Sequence, residues 1–179
     1  KISGFYSNLG IEVAPDRVRV TRGATGGLTL LAALLHNPDD ELLITDPGYP
    51  CNDVFARLVG ARPRPIPVQA QNRFQPTLAE FSAAWTAQTR AALLASPANP
   101  TETMLPADDL AAMAAYAAQQ EGFLILDEIY QGLNHGPSIY PSGLAVRDDL
   151  FILNSFSKFF GMTGWRLGWV VVPLEAIAP

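Results

Sequence analysis

The segment Asn154-Ser155-Phe156-Ser157-Lys158-Phe159-Phe160-Gly161-Met162-Thr163-Gly164-Trp165-Arg166-Leu167-Gly168 sets one lysine among aromatic and small residues, directly after an apolar run. Most lysines are solvated surface groups. A partly desolvated one loses basicity, becomes nucleophilic and can condense with an aldehyde. Arg166, eight residues on, carries a planar fork suited to a phosphate dianion. A second anion site is suggested by Thr21-Arg22-Gly23-Ala24-Thr25-Gly26-Gly27, which lies between a short β-branched run and a helical pattern. It reads either as a plain turn with Thr25 as helix cap, or as a helix start whose free N–H groups and dipole attract an anion. Asp127 closes the apolar run Phe123-Leu124-Ile125-Leu126, a place where ligands of open α/β sheets gather.

These residues need a scaffold, and the hydrophobic pattern supplies one. Short apolar runs alternate with longer Ala- and Leu-rich stretches, as in an α/β domain whose strands are buried on both faces. The pattern predicts seven strands: Arg17 to Val20, Glu41 to Thr45, Arg62 to Val68, Ala91 to Ser96, Phe123 to Asp127, Leu150 to Asn154 and Leu167 to Val172. Helices are expected over Thr25 to His36, Pro50 to Leu58, Leu78 to Ala87 and Pro106 to Gln120. The expected fold is α/β, a mostly parallel seven-stranded sheet with helices on both faces. Pro63, Pro65 and Pro67 remove three backbone donors from the third strand, which places it at a sheet edge or pairs it on one side only.

Composition narrows the partners. With 179 residues, 49% of them hydrophobic, the chain can fill one core. The net charge of -5 and the scattered Lys and Arg argue against nucleic acid or an anionic membrane as partner. No apolar run is long enough to span a bilayer and no signal-peptide pattern opens the chain, so a soluble cytoplasmic protein is expected. One cysteine, Cys51, and two distant histidines, His36 and His135, argue against a disulfide and against a metal centre.

Read at Ser155, Lys158, Gly161, Gly164, Arg166 and Gly168, the lysine segment has the form Ser-x-x-Lys followed by Gly-x-x-Gly-x-Arg-x-Gly. It resembles the lysine region of the class I and II aminotransferases, pyridoxal phosphate enzymes of fold type I. Asp46-Pro47-Gly48-Tyr49-Pro50, Ser96-Pro97-Ala98-Asn99-Pro100-Thr101 and Asp127-Glu128-Ile129-Tyr130 follow in the family's order. The resemblance implies that Lys158 forms the Schiff base with pyridoxal 5'-phosphate and later acts as general base. It implies that Asp127 pairs with the pyridine nitrogen, that Tyr49 stacks on the ring, and that Asn99 and Tyr130 hydrogen-bond the ring oxygen. Gly23, Ala24, Thr25, Ser155 and Arg166 would bind the phosphate. Three positions depart from the usual pattern: Glu102 stands where glycine commonly follows Asn-Pro-Thr, and Asn52 and Gln131 hint at an unusual substrate pocket. A non-glycine residue disfavours positive φ, so a different turn is expected at Glu102. Glu128 is read as a solvated or structural group.

By the same resemblance, residues 1–179 form the cofactor-binding large domain, with 1–16 as a lead-in. Lys1 to Gly10 reads as a helix end and Pro173 to Pro179 as the opening of a further helix. The family's small C-terminal domain and N-terminal arm have no matching positions, and a fragment of this kind is expected to be a poor catalyst alone. The implied reaction moves an amino group between an amino acid and a 2-oxo acid in a homodimer. Two alternatives stay open: a lyase of the same fold, such as a carbon-sulfur β-lyase, and a non-catalytic cofactor-binding or regulatory module.

Overall fold

The computed structural model describes residues 1–133 and 140–177, so His135 and the last two residues lie outside the described residues. Seven strands form a single sheet in the order β1-β7-β6-β5-β4-β2-β3. They are β1 (Val18–Thr21), β2 (Glu41–Asp46), β3 (Arg62–Pro67), β4 (Thr89–Ala95), β5 (Phe123–Asp127), β6 (Phe151–Ser155) and β7 (Gly168–Val171). All pairs from β3 to β6 are parallel, while β7 runs antiparallel to both β6 and β1. The fold is therefore α/β and mostly parallel, and all seven expected strands are present within two residues at each end.

Alternate residues of the central strands feed two cores, because successive side chains of a strand point to opposite faces. Ala92, Leu94, Leu124, Leu126 and Ile152 pack on one face, under α1 (Ile2–Ser7), α4 (Leu78–Ala84) and α5 (Ala107–Gln119). Ala91, Leu93, Ile125, Phe151 and Leu153 pack on the other, under α2 (Gly23–Leu35) and α3 (Cys51–Leu58). The lead-in belongs to the first core: Tyr6 is fully buried and its hydroxyl accepts from Trp169 Nε1 at 3.0 Å.

The proline strand β3 is at the edge of the sheet, as its missing donors require. Arg62 and Val68 donate their N–H groups to Asp40 and Asp46 on the β2 side. The even-numbered residues of β3 thus face β2, and Pro63, Pro65 and Pro67 face the open side.

Several ends differ from expectation. Helix α2 starts at Gly23 rather than Thr25, with no side-chain cap, so Thr25 is inside the first turn. Helix α4 stops at Ala84 because Trp85 turns into extended backbone and buries its ring against Phe81 and Tyr116. Its start is fixed by a capping box between Thr77 and Glu80. The C-terminal segment forms only a short turn, Leu174–Ala176, within the described residues.

Glu128 corrects the solvated alternative. It is 1% exposed, and its carboxylate accepts from Ser142 Oγ at 2.9 Å and from the Gly143 amide at 2.5 Å. Burial pushes its carboxyl up to about 8 against the pull of those two donors. Because the folded value is raised, the folded state holds a proton that the unfolded chain releases above about 4.5. The stability from this group is complete below that pH and is lost as pH rises through about 8, on the order of a few kcal/mol. Thermal melts of the full-length protein from pH 5 to 9 should fall with pH, and Glu128→Gln should flatten the trend.

Candidate active site

The strand directions bring the candidate residues to one edge. Strands β2, β4, β5 and β6 end there, β7 begins there, and β1, antiparallel to β7, ends there too. The segments that carry Gly23, Tyr49, Asn99, Asp127, Ser155 and Lys158 all leave the sheet at this carboxyl edge.

Gly23 and Arg166 meet at the start of α2. Gly23 has φ +67, a conformation that suits glycine, and a Cβ there would come within 2.6 Å of Arg166 Nη2. The guanidinium therefore lies directly against the start of α2, where Gly23, Ala24 and Thr25 present N–H groups that the helix leaves unpaired. Arg166 is held by its own segment: Nη1 donates to Thr163 O at 3.0 Å and to Ser157 Oγ at 3.4 Å. Ser155, fully buried below, accepts from the Ser157 amide at 3.2 Å. Gly168 closes the arrangement, since a Cβ on it would sit 2.6 Å from Gly23 C and 2.9 Å from the Ala24 nitrogen. Gly168→Ala is expected to destabilise the full-length protein by roughly 1–3 kcal/mol, read as a lower urea midpoint, by pushing β7 from α2.

Tyr130 links the other residues. Lys158 Nζ stands 5.6 Å from its ring centroid, and Asn99 Nδ2 donates to its hydroxyl at 3.4 Å. The lysine turn is anchored by aromatic packing: Phe156 and Phe160 have ring centroids 5.0 Å apart, and Phe156 also meets Trp169 at 5.0 Å. A Cβ on Gly132 would lie 2.8 Å from Phe159, so the loop after Tyr130 packs closely beside the lysine turn.

The desolvation expected for Lys158 is not found, because its side chain is exposed at the mouth of the site. The aromatic neighbours Phe156 and Phe160 pack inward against Trp169 and Phe5 instead of covering the amine.

Asp127 ends β5 and accepts from the Ile129 amide at 3.0 Å through Oδ1. Oδ2 has no protein partner among the described residues. Some of the residue stays open to solvent, yet the carboxyl lies deep enough that burial pushes it up to about 6, opposed by the Ile129 amide. Tyr49, 43% exposed, is close to both acid and tyrosine. Its phenol is held above the ordinary value first by hydrogen bonding to Cys51, then by burial and by the charges of Cys51, Tyr130 and Asp127.

A cavity of about 470 Å³ opens beside Tyr130, lined by the Pro97–Pro100 turn, Glu102 and Leu133. Glu102 also corrects an expectation: it keeps the positive φ, at 60°, that glycine would adopt. Two bonds fix it there, Glu102 N–H to Ala98 O at 2.8 Å and Ala98 N–H to Thr103 O at 2.9 Å. Left-handed backbone costs a non-glycine residue roughly 1 kcal/mol. Asn52 and Gln131 are not among the cavity's lining residues. Asn52 is buried in α3, and Gln131 is buried with its amide donating to Tyr140 O at 2.6 Å.

Among the described residues there is no group of three or more His, Cys, Asp or Glu side chains that could hold a metal ion. No helix among them is long and apolar enough to cross a membrane.

Known proteins share both sequence and fold with this chain. A valine–pyruvate aminotransferase of Mycobacterium tuberculosis is 39% identical over 165 residues, spanning 92% of this chain and 42% of the relative. An arginine–pyruvate transaminase of Pseudomonas aeruginosa is 37% identical, over 94% of this chain and 44% of its own length. The crystal structure of an aminotransferase from Mycobacterium tuberculosis superposes with a TM-score of 0.91 at 37% identity, covering 98% of this chain and 46% of that one. The chain thus spans somewhat less than half the length of these relatives. The family model described as aminotransferase class I and II matches residues 2–178, and the chain belongs to that family.

Proposed function

We propose that this chain is the cofactor-binding large domain, residues 1–179 with 1–16 as lead-in, of a pyridoxal phosphate-dependent aminotransferase. The observation that carries the reading is the meeting of Lys158, Tyr130 and Asn99 beside Asp127, at the same sheet edge as the Gly23 and Arg166 pair. The residues fit the group. A phosphate suits the start of α2, where the guanidinium lies against a glycine with no side chain to fill the space. A pyridine nitrogen suits Asp127, whose Oδ2 has no protein partner among the described residues.

When bound, the cofactor supplies a covalent attachment point for amines and an electron sink for the charge left by a lost proton. The chain's own residues do the rest. Arg166, Ser155 and the amides of Gly23, Ala24 and Thr25 would hold the phosphate and so fix the reach of the ring. Tyr49 would lie against one face of the ring, with little rotamer entropy to lose. Asp127 would keep a proton on the ring nitrogen, and an adjacent cation would draw its carboxyl down from about 6. Asn99 and Tyr130 would orient the ring oxygen through the bond they already share. Lys158 Nζ would hold the aldehyde carbon and, once displaced, carry the proton from the substrate α-carbon.

The substrates of this reading are an amino acid and a 2-oxo acid, in line with the names of the relatives. The reading includes a homodimer of the cytoplasm, and exposed Leu30, Leu34, Val54, Leu58 and Trp165 offer apolar surface for pairing. The test is to incubate the full-length protein and pyridoxal phosphate with single amino acids plus pyruvate. Alanine formation supports amino transfer. Ammonia release without alanine would replace it with the lyase, and neither product would leave the non-catalytic module.

A further inference from the structure

Lys158 and Arg166 stand on one turn, and Thr163, at a position the lysine motif leaves open, is bonded to the supports of both. Its hydroxyl donates at 2.6 Å to Ser157 O, the carbonyl of the peptide that leads into Lys158. Its own carbonyl accepts from Arg166 Nη1 at 3.0 Å. One residue thus holds the base of the lysine with its side chain and the guanidinium with its backbone. Ser157 anchors this link to the sheet: it is 7% exposed, its amide donates to Ser155 Oγ at 3.2 Å, and its Oγ accepts from Arg166 Nη1 at 3.4 Å.

Two further observations say why such a link matters. Lys158 is exposed on a flexible aliphatic stem, so what its amine can reach is set chiefly by where its backbone stands. Arg166 has left-handed backbone, at φ 52, so the direction of its guanidinium depends on the turn that precedes it. Such a conformation in a non-glycine residue persists where the surroundings fix it. In the proposed cofactor reading the amine meets the aldehyde end, and the guanidinium the phosphate end, of the same small molecule. The separation of the two groups must therefore match its length.

We infer that Thr163 is a positioning residue that sets the Lys158 amine at the distance from the phosphate site that covalent attachment requires. The inference rests on the proposed cofactor reading and deepens it. Attachment joins Lys158 Nζ to the aldehyde carbon by a double bond, and the aldehyde oxygen leaves as water with both hydrogens of the neutral amine. Thr163 takes no part in that exchange; its hydroxyl acts through the Ser157 peptide.

The experiment separates attachment from phosphate binding. Full-length apoprotein is titrated calorimetrically with pyridoxine 5'-phosphate, which carries an alcohol in place of the aldehyde. It is then mixed with pyridoxal 5'-phosphate, and attachment is followed by the visible band and by borohydride trapping. Thr163→Val removes the hydroxyl, keeps the branched shape and leaves in place the carbonyl that holds Arg166. This variant is expected to bind pyridoxine 5'-phosphate as the unmutated protein does. Its attachment of pyridoxal 5'-phosphate is expected to be about five- to tenfold slower, as the loss of one partly buried hydrogen bond allows. Thr163→Ser, which keeps the hydroxyl, restores the rate. Attachment by Thr163→Val at the unmutated rate, or no recovery in Thr163→Ser, overturns this inference alone. Equal weakening of binding and attachment, the pattern of a merely structural role, also overturns it. No attachment by the unmutated protein overturns the cofactor reading and the inference with it.

Discussion

Lys158→Ala in the full-length protein is expected to abolish borohydride-trappable attachment of pyridoxal phosphate and to lower kcat by roughly 10⁴ or more. Lys158 is the lysine that stands over Tyr130, on a turn fixed by the Phe156, Phe160 and Trp169 rings, so no nearby amine can replace it from the same segment. The proposed phosphate contacts should survive, because Arg166 and Gly23 do not depend on the lysine side chain. The variant should therefore still bind the cofactor, reversibly, and lose it on gel filtration. Visible spectra before and after borohydride read the result. The same trapped absorbance in variant and unmutated protein would remove Lys158 from the proposed chemistry.

Asp127→Ala is expected to lower kcat by roughly 10³ while the cofactor remains covalently attached. The carboxylate is the acceptor that ends β5, and the ring nitrogen without its proton is a weak electron sink. Asp127→Asn is the sharper comparison: its side-chain oxygen can keep the Ile129 amide bond, so the local turn should stay intact while the charge is gone. Melting temperatures near that of the unmutated protein, together with the fall in kcat, separate a chemical role from a folding role. Unchanged kcat in both variants would sink the assignment.

The sheet was readable because its central strands are apolar on both faces, and runs such as Phe123 to Asp127 leave no other placement. The grouping of the candidate residues followed from the same strands, since each motif begins where a strand ends. Glu128 was not readable. Its partners Ser142 and Gly143 are fourteen and fifteen residues on, and nothing local distinguishes a buried acid from a solvated one. Gln131 likewise finds its acceptor at Tyr140, nine residues away. Glu102 misled because propensity predicts the average residue, whereas two backbone bonds across the turn decide the actual φ. The start of α4 was expected at Leu78 and is found there, where the Thr-x-x-Glu capping box of Thr77 and Glu80 fixes it.

The free margin of β3 has a consequence for the behaviour of the molecule in concentrated solution. Along that margin, positions 63, 65 and 67 offer carbonyl oxygens but no hydrogen to share. An extended segment from another molecule cannot complete a ladder there, so this border is closed to fibril-like growth without a covering helix or a charged guard.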